Sequence, residues 1–74
     1  MSRLWKVRVL DPGTVTCKHD GRWRTVPIGD YTMTQLAADS YHLSDGTVTY
    51  VIDQSDLLVH VTYRQLKIVE GEWP

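Results

Sequence analysis

Thiol chemistry is almost absent from this 74-residue chain, which contains one cysteine, Cys17. A single thiol cannot form an internal disulfide, so the sequence is not that of a disulfide-stabilised secreted scaffold. No stretch resembles a signal peptide, and none approaches the roughly 18 consecutive apolar residues of a membrane span. We therefore expect a soluble cytoplasmic protein that has no membrane partner.

Catalytic and cofactor-binding motifs are missing as well. The chain has no phosphate-binding loop and no dinucleotide fingerprint, its glycines mark turns, and its acids are scattered rather than paired. A domain of this size buries only about 60% of its unfolded surface, so the core needs most of the apolar residues. Few remain to line a cofactor pocket, and we predict a protein without a cofactor that is not an enzyme.

The cysteine and the three histidines are the residues from which a nucleophilic or metal site would have to be built. Metal ligands converge to roughly 2.0–2.3 Å from one ion, and no pair here has zinc-finger spacing. Cys17 shares a strand face with Val15, which favours a small buried hydrophobe over a nucleophile. We predict neither a catalytic residue nor a metal site from Cys17, His19, His42 and His60.

The clearest structural signal is the stretch 40–53, in which Asp45-Gly46 separates two runs that alternate apolar and polar residues. Asp-Gly is favoured in two-residue type I′ turns because both central residues need a positive φ. The pattern predicts a hairpin whose inner face carries Tyr41, Leu43, Val48, Tyr50 and Ile52.

The same alternation predicts further strands on both sides of this hairpin. A second type I′ turn is expected at Asp20-Gly21, and a single 3₁₀ turn at 64–66. In the first strand, Trp5, Val7 and Val9 are expected to face inward. The predicted strands cover residues 4–10, 14–19, 22–26, 57–63 and 67–69.

Residues 31–39 are the one candidate helix. Thr32 and Gln35 have the spacing of a capping box, and Met33 and Leu36 lie on one short apolar face. Two turns of helix are too short to be stable without packing, so an irregular loop is the alternative.

Short strands joined by tight turns in a chain of this size predict a small antiparallel β-barrel of five or six strands, closed or half-open, forming one domain over 1–74. The segments V-R-V-L-D-P-G-T-V (7–15) and V-T-Y-R-Q-L-K-I-V (61–69) resemble the start and the end of SH3-like barrels of the KOW and Tudor kind. Residues 27–40 depart from that pattern, because such barrels pass through this region by a shorter loop. The resemblance implies a fold and no particular function.

Charge is unevenly distributed along the chain. Residues 1–24 hold six basic and two acidic side chains, a net +4, whereas residues 25–74 hold two basic and seven acidic ones, a net −5. Basic side chains interleaved with an aromatic suit a nucleic-acid backbone and a stacked base. The alternative is a solvated hairpin with Trp23 packed inward. The candidate binding residues are Lys18, Arg22, Trp23 and Arg24, with Lys6 and Arg8 expected on the neighbouring strand.

The leading functional prediction is a non-enzymatic module that binds another protein, comparable to small bacterial or phage accessory and inhibitor proteins. The acids of the second half offer a surface that would dock on a basic protein or imitate a phosphate track. They are Asp39, Asp45, Asp53, Asp56, Glu70 and Glu72.

The alternative is a nucleic-acid-binding SH3-like module that uses the basic hairpin 18–24. The pI near 6.2 argues against it, because such domains are usually strongly basic. An unpaired strand at the seam of the barrel would also allow a homodimer.

Overall fold

The computed structural model describes residues 4–11 and 13–72. Within them, seven strands and one helix follow one another along the chain. They are β1 (Leu4–Val9), β2 (Thr16–His19), β3 (Arg22–Thr25), β4 (Gly29–Ala37), β5 (Ser40–Ser44), β6 (Thr49–Asp53), α1 (Gln54–Thr62) and β7 (Leu66–Glu70).

All seven strands belong to one antiparallel sheet, in the order β3-β2-β6-β5-β4-β1-β7. The antiparallel, mainly β class is therefore confirmed. The sheet has seven strands instead of the predicted five or six, and the closed form of the predicted barrel is wrong, because closure requires the two outermost strands to pair. Here β3 pairs with β2 and β7 pairs with β1, and they do not pair with each other.

One hydrophobic core lies against the inner face of this sheet. The strand alternation predicted for β1, β5 and β6 is confirmed, because every second side chain in these strands is buried. Buried residues from β2, next to one end of the sheet, and from β7, at the other end, belong to the same cluster, so the sheet curls around a single core. The core residues are Trp5, Val7, Val9, Val15, Cys17, Val26, Tyr31, Met33, Tyr41, Leu43, Tyr50, Ile52, Leu57 and Leu66.

The segment predicted as a helix or loop, 31–39, is wrong in both forms, since most of it lies in the nine-residue strand β4. Tyr31 and Met33 point into the core, while Thr32 and Thr34 point away from it. That is the two-residue period of a strand. Pairing with β1 on one side and β5 on the other outweighs the local capping signal.

The strand predicted over 57–63 is also wrong, because these residues form most of the helix α1. Asp53 precedes the helix in extended conformation, and Asp56 places a negative charge in its first turn, which the helix dipole favours. Leu57 is fully buried, whereas Val59, on the same face of the predicted strand, is 49% exposed. A run of Leu and Val that alternates by chance does not distinguish a short helix from a strand.

The 3₁₀ turn predicted at 64–66 is replaced by a Schellman motif that ends α1. Arg64 adopts a left-handed conformation with φ of 58°. The Arg64 N–H donates to the Val61 carbonyl at 3.1 Å, and the Gln65 N–H donates to the His60 carbonyl at 2.9 Å. The chain then enters β7, which is slightly longer than the predicted last strand.

The two Asp-Gly turns differ from each other. Asp20 and Gly21 both have positive φ, 54° and 73°, so the predicted type I′ turn is confirmed there. At Asp45-Gly46 the two-residue turn is wrong, since Ser44 pairs with Thr49 and leaves a four-residue connection. The cause is the Asp45 carboxylate, whose Oδ1 accepts hydrogen bonds from two backbone N–H groups of that connection, each 2.8 Å long.

We predict that Asp45 makes the stability of the protein depend on pH. Hydrogen bonds from the Val48 and Thr47 N–H groups lower the pKa of Asp45 in the folded state. A lowered carboxyl pKa stabilises the fold above the ordinary value of about 4, and this is lost as the pH falls through the native pKa. In thermal unfolding, Asp45→Ala should therefore lower the melting temperature at pH 7, and its difference from wild type should shrink towards pH 2.

The Asp45→Asn variant is the matched control, because its amide oxygen still accepts these hydrogen bonds but does not titrate. It should be more stable than Asp45→Ala at pH 7. If the melting temperature of wild type exceeds that of Asp45→Ala by the same amount at pH 7 and at pH 2, the ionised Asp45 carboxylate is not the source of the stabilisation.

We further predict that Leu43→Ala lowers the free energy of unfolding by about 2–5 kcal/mol, because it leaves a cavity in the core. Leu43 is fully buried, whereas Leu36 is 55% exposed near the end of β4. Leu36→Ala should change the free energy by less than about 0.5 kcal/mol. Urea denaturation measures both, and equal effects of the two substitutions would show that the core is placed wrongly.

Candidate binding surface

The six basic and aromatic residues predicted as a binding surface fall into two separate groups. Lys6 and Arg8 lie on β1, while the other four lie on β2 and β3. The expectation that β1 neighbours the basic hairpin is wrong, because β6, β5 and β4 lie between β2 and β1. The connection after β1 crosses to the far side of the sheet instead of forming a hairpin.

The group on β1 is balanced by acids. Arg8 Nε lies 2.6 Å from Asp30 Oδ1, on the strand directly opposite, and Lys6 Nζ lies 4.0 Å from Glu70 Oε2. The hydrogen bond with Arg8 holds the pKa of Asp30 below its ordinary value. A groove of about 410 Å³ beside these residues is lined by both signs of charge. This part of the surface therefore offers little uncompensated positive charge.

The second group forms an exposed hairpin, here called the basic arm, which consists of β2, the turn at 20–21 and β3. Lys18 faces Trp23 across the two strands, and Arg22 and Arg24 face His19 and Cys17. Residues that face each other across a sheet point to the same side of it. Lys18 and Trp23 therefore share one side of the arm, and the two arginines share the other.

All four residues of β3 are exposed, and Trp23 is 59% exposed. The alternative in which Trp23 packs inward is therefore wrong, because Trp23 lies on the same side of the sheet as exposed Lys18, whereas Cys17 and Val26 are buried on the other side. Trp23 instead meets Lys18, whose Nζ lies 5.4 Å from the centroid of the indole ring, within the range of a cation–π contact.

His19 lies beside the turn of the basic arm and holds that end of the arm against β6. Its Nδ1 is 3.0 Å from the Thr49 carbonyl oxygen, and its Nε2 is 3.3 Å from Asp20 Oδ2. Its ring also lies 5.8 Å from that of Tyr50. The sequence did not indicate this role, because the contacts join residues 30 positions apart.

The outer edge of β3 carries no pairing strand among the described residues, and we call it the free edge. The Val26 N–H donates to the Val15 carbonyl at 2.8 Å. Hydrogen-bonded pairs alternate along an antiparallel ladder, so this bond sets which residues of β3 bond to β2. The backbone groups of Trp23 and Thr25 point the other way, towards the free edge. Thr25 was not among the predicted binding residues, because alternation alone does not identify an edge.

The histidines and the cysteine do not assemble into a chemical site. His60 Nδ1 lies 2.6 Å from Gln65 Oε1 at the end of α1, far along the chain from His19. The described residues contain no group of three side chains able to hold a metal ion. Burial raises the pKa of the Cys17 thiol to about 12, with a further contribution from the nearby Asp56 carboxylate. A thiol of this kind is protonated at neutral pH and is a poor nucleophile.

The acids of the second half do not all lie together on the sheet. Asp53 pairs with Ser40 at one end of β5, next to Asp39. Asp45 follows the other end of that strand, about 17 Å away at 3.4 Å per residue, and its carboxylate is engaged in its own turn. Glu70 faces Lys6.

Comparison with known proteins yields no match: no protein-family model, no curated protein and no solved structure is significantly similar to this chain. No helix among the described residues is long and apolar enough to cross a membrane. The coarse class of a small antiparallel β-sheet protein is established by the structure, while the SH3-like resemblance remains a prediction.

We predict that Cys17 does not react with iodoacetamide at pH 8 in the folded protein and reacts fully in 8 M urea. The reason is the burial that keeps its thiol protonated and out of contact with solvent. Mass spectrometry measures the extent of labelling. Thr25→Cys in a Cys17→Ala background is the matched control and should label rapidly, because position 25 is exposed. If Cys17 in the native protein is labelled as fast as the cysteine of Thr25→Cys, the Cys17 thiol is not buried as described.

Proposed function

We propose that this protein is a non-enzymatic module that binds another protein through the basic arm. The observation that carries the proposal is β3, which is exposed over all its residues and along its free edge. Leaving the Trp23 side chain in water forgoes the stabilisation that its burial would supply. Tryptophan and arginine are also the residues most enriched among those that dominate binding energy in protein interfaces.

The charge of the arm favours an acidic partner. Lys18, Arg22 and Arg24 are all exposed, and the nearby acid of the turn, Asp20, lies against His19. An arginine side chain can bind a carboxylate through two parallel hydrogen bonds, which gives direction as well as attraction. Opposite charge on a partner would also speed the encounter, because electrostatic attraction steers association.

A binding role is supported over nucleophilic catalysis by the burial of the single thiol. The free state of Cys17 is compatible with the reducing cytoplasm, where we place the protein. A module that covers part of its partner would act as an accessory or inhibitor protein.

The second candidate function is binding of single-stranded nucleic acid by the same residues, as an SH3-like module would. Trp23 and Lys18 are exposed on the same side of the arm, an arrangement in which a base stacks on the indole ring while the cation binds a phosphate. The pairing of Lys6 and Arg8 with acids weighs against it, because it removes two of the six cationic and aromatic residues from that surface.

We predict that Trp23→Ala weakens binding of the natural partner at least tenfold, because truncating a central aromatic of an interface commonly costs about 2 kcal/mol or more. The measurement is capture from nuclease-treated lysate of the source organism, followed by titration of the purified partner. Tyr63→Ala is the matched control, since Tyr63 is 71% exposed and lies at the end of α1. It should bind as the wild type does.

A partner that binds Trp23→Ala as tightly as wild type would refute the role of the arm. If no protein is captured saturably, the proposed function fails. Binding of a labelled oligonucleotide whose affinity falls linearly with salt on logarithmic axes would instead support the nucleic-acid alternative.

A further inference from the structure

We propose that the partner binds as an eighth strand: an extended acidic segment of another protein pairs antiparallel with the free edge of β3. This inference rests on the proposed protein-binding function and specifies its mode. The backbone N–H and C=O groups of Trp23 and Thr25 point to that edge, where they offer hydrogen bonds to an added strand. Strand addition of this kind takes its affinity from main-chain hydrogen bonds and its specificity from alternate side chains.

The other edge of the sheet, β7, is less suited to accept a strand. Its pairing with β1 shifts register between Lys6 and Val7, and such a bulge twists an edge and disrupts regular pairing. By contrast, β3 pairs with β2 in an unbroken register.

A second copy of this chain is a poor occupant of the free edge. The N–H and C=O groups of Trp23 and Thr25 point to the free edge. An added strand must therefore place residues whose own N–H and C=O groups point towards β3 directly opposite these two. If Trp23 faced Trp23 of the second copy, Arg22 would face Arg24 of that copy. If Trp23 faced Thr25 of the second copy, the two Arg24 side chains would face each other. Like charges directly opposite one another destabilise a sheet.

The same geometry specifies the sequence of the partner segment. Arg22 and Arg24 are two residues apart on one side of β3, so the partner needs acids at two alternate positions facing them. The residue between those acids faces Trp23, whose exposed indole ring suits an apolar side chain. The recognised pattern is acid–apolar–acid within an extended, β-compatible stretch.

Capped, labelled peptides test this inference by fluorescence anisotropy. The probe has the central sequence Thr-Glu-Val-Glu-Thr, and a control of the same composition, Glu-Thr-Val-Thr-Glu, moves both acids to the other side of the strand. We expect the first peptide to bind the wild-type protein at least tenfold more tightly than the second. Equal affinities would show that charge attracts the peptide without a defined register, and would overturn the proposal.

Two protein variants separate backbone pairing from charge. Thr25→Pro removes an outward N–H without changing charge, at an edge position where proline is tolerated, and should abolish peptide binding. Thr25→Ala keeps the N–H and should bind as wild type does. The double variant Arg22→Glu with Arg24→Glu should lose the acidic peptide and gain binding to Thr-Lys-Val-Lys-Thr.

Peptide binding that survives Thr25→Pro, in a variant shown by circular dichroism to be folded, would overturn strand addition. Self-association that Thr25→Pro abolishes would overturn it in favour of a second copy. A dT oligonucleotide is the test for nucleic acid. If it displaces the peptide and binds Thr25→Pro as tightly as wild type, strand addition is overturned in favour of nucleic-acid binding.

Failure of this inference is distinct from failure of the proposed function. If the captured partner depends on Trp23 but binds Thr25→Pro normally, the inference falls and the protein-binding function stands. If neither a captured partner nor any peptide binds, both fall.

Discussion

A single hydrophobic core on one side of one curled sheet is the constraint on which the rest of the structure depends. In a chain of 74 residues, six of the seven strands and α1 each contribute at least one buried side chain to that core. Leu57 is the contribution of α1, and Leu66 is that of β7. A domain this small has limited buried surface, so each such residue supports a large share of the total stability.

The strand that contributes no core residue is β3, and its exposure follows directly from this constraint. The core ends at Cys17 in β2 and at Val26, which directly follows β3, and the four residues of β3 lie outside it. The type I′ turn and the contacts of His19 hold the arm in place without burying its outer strand. The strand that contributes no side chain to the core is thus the one that carries an exposed tryptophan, two arginines and unpaired backbone groups at an edge.

The fold separates charged residues that lie close together in the sequence. The net positive first third divides between β1, where Arg8 and Lys6 meet acids from other parts of the chain, and the basic arm, where the cations remain uncompensated. The acids are dispersed in the same way, since Asp45 serves its own turn and Glu70 faces Lys6. Charge counted along a chain predicts a binding surface only when strand order keeps the charged residues together.

The sequence by itself determined the antiparallel β class, the inward faces of β1 and of the central hairpin, the turn at Asp20-Gly21 and the basic arm as a candidate surface, because alternation and turn chemistry are local properties. Tertiary structure decided that 29–37 is a strand and 54–62 a helix, since pairing on both sides and packing of one buried leucine outweigh weak local preferences. It also decided that the sheet stays open and that Trp23 is exposed. The first depends on strand order, and the second depends on which side of the β2–β3 hairpin faces the core. Both are set by contacts between residues far apart in the chain, which leave no local signal.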